Sequence, residues 1–109
     1  MLATLLGSVN KERVLVYLVG RGRGYAREIA RFFAASLSPV QNAMEKLEAA
    51  GVLVSRAVGS TREYELNPRY PAREELINLL NRALALYPAA LRAALLQSRS
   101  RPRRKGKPL

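Results

Sequence analysis

Hydrophobic periodicity in this chain switches from that of a helix to that of a strand at Gly51. Over 36–50, "SLSPVQNAMEKLEAA", the residues Leu37, Val40, Met44 and Leu47 recur at spacings of three, four and three. That is one apolar stripe on an α-helix. Beyond Gly51, "VLVSRAVGSTREYEL" supplies two β-prone runs, Val52–Val58 and Arg62–Leu66, around Gly59-Ser60-Thr61. The spacing predicts a hairpin with a three-residue loop. Val54 and Val58 share one strand face, while Tyr64 and Leu66 alternate with Glu63 and Glu65 on the partner strand. Asn67-Pro68 closes the hairpin, because a residue before proline avoids the helical region. Whatever this chain folds into must place a hairpin directly beside the end of its best-signalled helix.

The start of that helix has two readings. Ser38 as N-cap puts Pro39 at the favoured first helical position and pairs with Gln41 as a capping box. Ser36 as N-cap instead puts Leu37 inside the helix, and the sequence does not choose between them. Upstream, Ser8 can cap a helix over Val9–Val19, with Val9, Val14, Leu15, Leu18 and Val19 as its stripe and Gly20 as its stop. A short helix fits Ala26–Ala34, with Ile29, Ala30 and Phe33 on one face and Arg27 and Arg31 four apart on another. Downstream, Ala72–Leu86 reads as a long helix with more apolar surface than one stripe needs, broken at Pro88. Ala89–Gln97 can form another helix, and disorder is expected from about Ser98.

Helix, helix, helix, hairpin, helix is the order of a winged helix-turn-helix. The expectation is therefore a mainly α fold with a small β-hairpin and a C-terminal dimerisation helix or helices. Residues 1–71 make the DNA-binding unit, 72–97 the helical dimerisation segment and 98–109 a basic tail.

Charge points the same way. The net charge is +11, and "RSRPRRKGKPL" at 99–109 carries six cations and no acid. Arg outnumbers Lys fifteen to four, and guanidinium suits bidentate phosphate and guanine contacts better than ammonium does. A small basic protein of this kind most often meets nucleic acid. The chain has no Cys, His or Asp, which removes disulfides, the usual zinc sites and every His-based acid/base mechanism. Its eight glutamates form no paired catalytic pattern. No catalytic residue, metal or cofactor is expected, and the protein is not read as an enzyme. "MLATLLGS" lacks the positive region of a signal peptide, and no apolar run is long enough for a membrane span. The expected location is cytoplasmic, at the nucleoid, with no membrane partner.

The segments "LLGS…R", "YAREIA", "SLSPVQNAMEKLEAAGVLVSRAVGSTREYELNPRYP" and "REEL" together resemble the small winged-helix regulators of the ArsR/MarR-like group. The resemblance covers about residues 5–85, and its specific part runs from Ser36 to Pro71. It implies a homodimeric DNA-binding protein, usually a repressor, whose third helix enters the major groove. One departure is clear: the metal sensors of the group use Cys, His or Asp ligands, and this chain has none. Regulation, if any, is left to a partner protein, a small apolar ligand at the dimer interface, or expression level.

With Leu37, Val40, Met44 and Leu47 turned inward, Ser38, Pro39, Gln41, Asn42 and Glu45 remain as candidates for base contact. Gln41 and Asn42 can read adenine in a bidentate way, although Gln41 can equally complete a capping box. Glu45 can accept from cytosine or pair with a neighbouring cation, and Lys46 suits phosphate. Arg56, Thr61 and Arg62 mark a basic wing, or a solvated ribbon. Tyr25 and Arg27 stand at the start of helix two as backbone contacts, Arg31 farther along. The run "VGRGRGYAREIA" lacks the closing Gly-Lys-Ser/Thr of a P-loop. It reads as an interhelical link in which Arg23 could hold a phosphate. Leu76, Leu79, Leu80, Ala83 and Leu84, extended by Leu91 and Leu95, form either a dimer interface or a cover for the domain's own core. A two-fold dimer would read half-sites about 34 Å apart, and the tail would add a non-specific electrostatic arm. The competing functions are a winged-helix interaction module, adaptor or antitoxin-like, and an RNA-binding protein. RNA is disfavoured because two Phe and five Tyr, several needed inside, make no stacking platform.

Overall fold

The computed structural model describes residues 1–99. Its elements are α1 (Ala3–Leu6), α2 (Val9–Arg21), β1 (Gly24–Tyr25), α3 (Ala26–Phe32), α4 (Leu37–Ala49), β2 (Leu53–Val58), β3 (Thr61–Leu66), α5 (Arg73–Ala85) and α6 (Ala89–Arg99). This is a winged helix-turn-helix fold, mainly helical with a small antiparallel sheet.

Helix α2 is the axis of the molecule. Ser8 caps it by accepting from the Lys11 amide at 3.1 Å. The expected single stripe is corrected. Val14, Leu15, Val16, Tyr17 and Leu18 are all buried in succession, whereas Val9 lies exposed. A helix buried on every side needs partners on every side, and α1, α4, α5, α6 and β3 all pack against it. Gly20 does not end the helix. It lies inside the last turn, buried, with the Leu95 Cβ 3.7 Å from where its own Cβ would stand. The stop comes at Gly22, whose φ of 93° breaks the helix while its amide donates to the Leu18 carbonyl at 2.8 Å.

The C-terminal helices complete this core. Leu80, Ala83, Leu84 and Leu95 belong to the same buried cluster as Leu2 and the middle of α2. Two polar anchors fasten them. At one end of α2, buried Glu12 accepts from the Tyr87 hydroxyl at 2.9 Å, the Leu2 amide at 2.8 Å and the amino group of Met1 at 3.3 Å. At the other end, the Arg21 Nε donates to the Leu95 carbonyl at 2.8 Å and Nη1 to the Tyr17 hydroxyl at 2.7 Å. Its guanidinium also lies over the rings of Tyr17 and Phe32. Helix α6 runs through Arg99, past the expected onset of disorder at Ser98. The tail expected to act as an electrostatic arm lies, from residue 100 on, outside the described residues.

The helix-turn-helix is α3 and α4. Helix α3 starts after Tyr25, whose amide donates to Glu28 Oε1 at 3.3 Å. It ends at Phe32, two residues earlier than expected, because Ala34 turns to a φ of 53° and the Ala35 amide returns to the Ala30 carbonyl at 2.8 Å. Ser36 is the N-cap of α4, through its extended backbone rather than a side-chain bond. Leu37 is thus inside the helix and Pro39 is its third residue, where the missing N–H is one the helix would leave unpaired anyway. The capping box of Ser38 with Gln41 does not form. Val40, Ala43, Met44 and Leu47 are buried and Leu37 is half-buried.

The hairpin is joined by a third strand, in the order β1-β3-β2. Val58 pairs with Thr61, so the loop is the two-residue Gly59-Ser60 rather than the expected three, with Thr61 Oγ1 donating to the Val58 carbonyl at 2.9 Å. Leu53, Tyr64 and Leu66 face the core, while Val54 and Val58 share the opposite face. Strand β1 pairs Gly24 with Tyr64 and Tyr25 with Glu63. Gly24 is required by proximity: a Cβ there would stand 2.8 Å from the Tyr17 ring. The glycine-arginine link is therefore a short strand packed on the core.

Candidate nucleic-acid interface

Because α4 buries only one stripe, its opposite face has nothing over it. Ser38, Pro39, Gln41, Asn42, Glu45 and Lys46 are all exposed. Among the described residues none of their side chains makes a hydrogen bond or an ion pair. The 13 residues of α4 span about 20 Å, and a helix with its side chains is about 10–12 Å across.

Beside this face runs a groove of about 450 Å³. Leu37, Gln41 and Glu45 of α4 form one wall, and Ala57, Thr61, Arg62 and Tyr64 of the hairpin form the other. Tyr25, Ala26 and Arg27, from the start of α3, close one end. The fold thus gathers six of the expected contact residues: Tyr25, Arg27, Gln41, Glu45, Thr61 and Arg62. Ser38, Pro39, Asn42 and Lys46 lie on the exposed face of α4 but outside the groove lining.

Arg23 and Arg56 are not brought to this groove. Both sit on the other face of the sheet, where Glu63 holds them: Arg56 through Nε at 3.1 Å and Nη2 at 3.0 Å, Arg23 through Nη1 at 3.8 Å. The pairing follows from register, since Arg56 stands opposite Glu63 and Glu63 opposite Tyr25. Arg56 and Arg62, expected together on the wing, are separated by register: one residue apart in parity, they point to opposite faces.

Three further groups shape the groove without having been singled out. Ser55 Oγ donates to Glu48 Oε2 at 2.6 Å and accepts from Arg62 Nη1 at 3.1 Å. This chain of bonds ties the hairpin to the end of α4 and holds Arg62 partly in place. The third is Tyr64, on the groove wall. Burial pushes its hydroxyl pKa up, Glu48 and Glu45 push it further, and Arg62 opposes them. The groove is accordingly divided in charge, acidic along α4 and basic along its outer edges. Glu48 could have been found from sequence, as it extends the Gln41–Glu45 stripe by three residues. Ser55 could not, because its role depends on strand register.

The expected dimer residues are mostly consumed by the chain itself. Leu80, Ala83 and Leu84 are 0%, 1% and 5% exposed within one chain, and Leu95 is 0% exposed. Leu76 is half-buried against the same cluster, and only Leu79 of the expected set is exposed. A surface through Leu80, Ala83 and Leu84 is corrected on this ground: they cover α2. Leu79 of α5, Leu86 at its C-cap and Leu96 of α6 are the large apolar side chains left exposed on this side among the described residues.

Among the described residues no helix is long and apolar enough to cross a membrane, and no cluster of three or more acidic, His or Cys side chains could hold a metal. No protein-family model and no curated protein matches the sequence. The structure is similar to that of the adhesin competence repressor AdcR from Streptococcus pyogenes, at 18% identity and a TM-score of 0.51, over 88% of this chain and 84% of that one. At that identity the likeness is one of fold.

Proposed function

We propose that the protein is a sequence-specific double-stranded-DNA-binding transcriptional regulator, acting as a repressor. The observation that carries this reading is the bare polar face of α4, flanked by the exposed cations Arg27, Lys46 and Arg62, none of them in an ion pair among the described residues. A helix of its width enters the major groove, about 12 Å wide. There Gln41 and Asn42 can read adenine, and Glu45 can accept from the cytosine amine. Arg27, Lys46 and Arg62 lie at the edges, where phosphates would pass. The repressor whose fold is similar supports the reading. Two copies, joined through Leu79, Leu86 and Leu96, would present two such helices to half-sites about one helical turn apart.

Selection from a randomised duplex pool at moderate salt tests it, with wild type and Asn42→Ala in parallel. A palindromic motif is expected, relaxed in the variant at one position by about 1–3 kcal/mol. A pool with no enriched motif would overturn the reading and leave a protein-interaction module in its place.

A further inference from the structure

A second crevice, of about 310 Å³, lies away from the groove, between the end of α2, the root of β3 and α5. Its volume is about ten times the roughly 30 Å³ that a water molecule occupies in the liquid, which is room for a small organic molecule. Leu18, Val19, Leu66 and Ile77 give it an apolar wall, and Arg73, Glu65 and Asn81 give it polar groups. Arg73 Nε is shut off from solvent and has no hydrogen-bond partner, the one such side-chain atom among the described residues. Leaving a charged group's donor unmade in a buried place is costly, and such an atom calls for an explanation. Glu65, half-buried on the same crevice, forms no ion pair with Arg73 or any other cation among the described residues. A guanidinium and a carboxylate thus face one cavity, each without a partner, beside a patch of aliphatic surface.

We propose that this crevice binds a small zwitterion: an α-amino acid with an apolar side chain. Its carboxylate meets the terminal nitrogens of the Arg73 guanidinium, as guanidinium geometry favours. Its ammonium meets Glu65. The Asn81 amide, two turns farther along α5, adds a polar group to the crevice wall. The aliphatic side chain rests on Leu18, Val19, Leu66 and Ile77. A ligand held this way bridges the root of the wing to α5, next to Gly22, where the link to α3 begins.

L-leucine added to the ¹⁵N-labelled protein, without DNA, tests the proposal through the NMR signal of Arg73 Nε–H. Leucine should shift that signal saturably. 4-Methylpentanoate, which lacks the ammonium, and 3-methylbutylamine, which lacks the carboxylate, should each bind about tenfold more weakly or worse. Arg73→Met keeps the aliphatic stem and should abolish binding, read in that variant from the side-chain amide signal of Asn81 on the same crevice. Glu65→Gln should reduce leucine to the level of 4-methylpentanoate. No saturable shift with leucine, valine or methionine at about 10 mM would overturn the proposal. So would an Arg73 signal that moves in Glu65→Gln without any ligand, since that would show the two side chains already paired with each other. Neither result depends on DNA binding, so failure here leaves the duplex selection untouched.

Discussion

Arg21 and Arg27 lie six residues apart, and the molecule treats them in opposite ways. At the end of α2, the Arg21 guanidinium donates to two carbonyls of α6 and to the Tyr17 hydroxyl, and lies over two aromatic rings. At the start of α3, Arg27 is exposed on the groove and has no bonded partner among the described residues. The same contrast separates Glu12, buried with three donors, from Glu45, exposed on α4 with none. Charge at the two ends of α2 holds the fold together, while Arg27 and Glu45 on the groove have no partner among the described residues. A buried charge is tolerated only when paired, so the first set cannot be read as a site. The second set has no structural task that would account for it.

Removing a charge that holds the fold should cost the most. Arg21→Met leaves the Leu95 carbonyl without that donor and forfeits the ring contacts, and should destabilise the protein by about 2–4 kcal/mol. Urea unfolding measures this loss, and DNA affinity of the folded fraction should be unchanged. An equal loss of DNA affinity at constant folded fraction would break the comparison, because Arg21 would then serve both sides.

Glu12 gives the next effect, and it depends on pH. Burial pushes its carboxyl pKa up, but hydrogen bonds from Tyr87, the Leu2 amide and the amino terminus outweigh that and leave it below the ordinary value of 4.5. The folded state therefore prefers the ionised form. The stability this contributes is fully present above the unfolded value, near 4.5, and is lost as pH falls through the lower folded value. Glu12→Gln should cost about 1–3 kcal/mol at neutral pH. It should also flatten the acid limb of stability against pH, which denaturant midpoints between about pH 3 and 6 would show.

The sequence disclosed these two sides unequally. Helix α4 and the hairpin were legible because their periodicity lies within one stretch, and the exposed residues followed by subtraction once the apolar stripe was assigned. Strand β1 was not, since two residues carry no periodicity and its pairing with β3 spans some forty positions of chain. Nor was the all-round burial of α2, whose covering residues Leu80, Leu84 and Leu95 come from helices far along the chain. They read equally as a dimer interface or as a cover for the chain's own core, because an excess of leucine says only that something covers it. The partner of Glu12, Tyr87, lies 75 residues away, and local pattern holds no trace of such a contact. Register alone separated Arg56 from Arg62, and a hairpin loop read one residue too long concealed it.

The smallest effect tests the free charges against one another. If Arg27 meets phosphate, Arg27→Ala should lower the log–log salt slope of DNA binding by about one, equally for preferred and random sequences. Arg56→Ala should lower it by less, because Glu63 already neutralises that guanidinium. The pair is exposed and worth at most about 1 kcal/mol to stability, so folding should hardly change. Glu63→Gln should then raise the slope, since it releases both Arg56 and Arg23 on a face that now holds them back. Equal slopes for all three variants would mean that DNA passes neither side of the sheet. The division between fold-holding and free charge would then describe the fold alone. A slope that falls in Arg27→Ala and rises in Glu63→Gln would extend that division into function, with Glu63 setting how much of the wing's charge DNA can use.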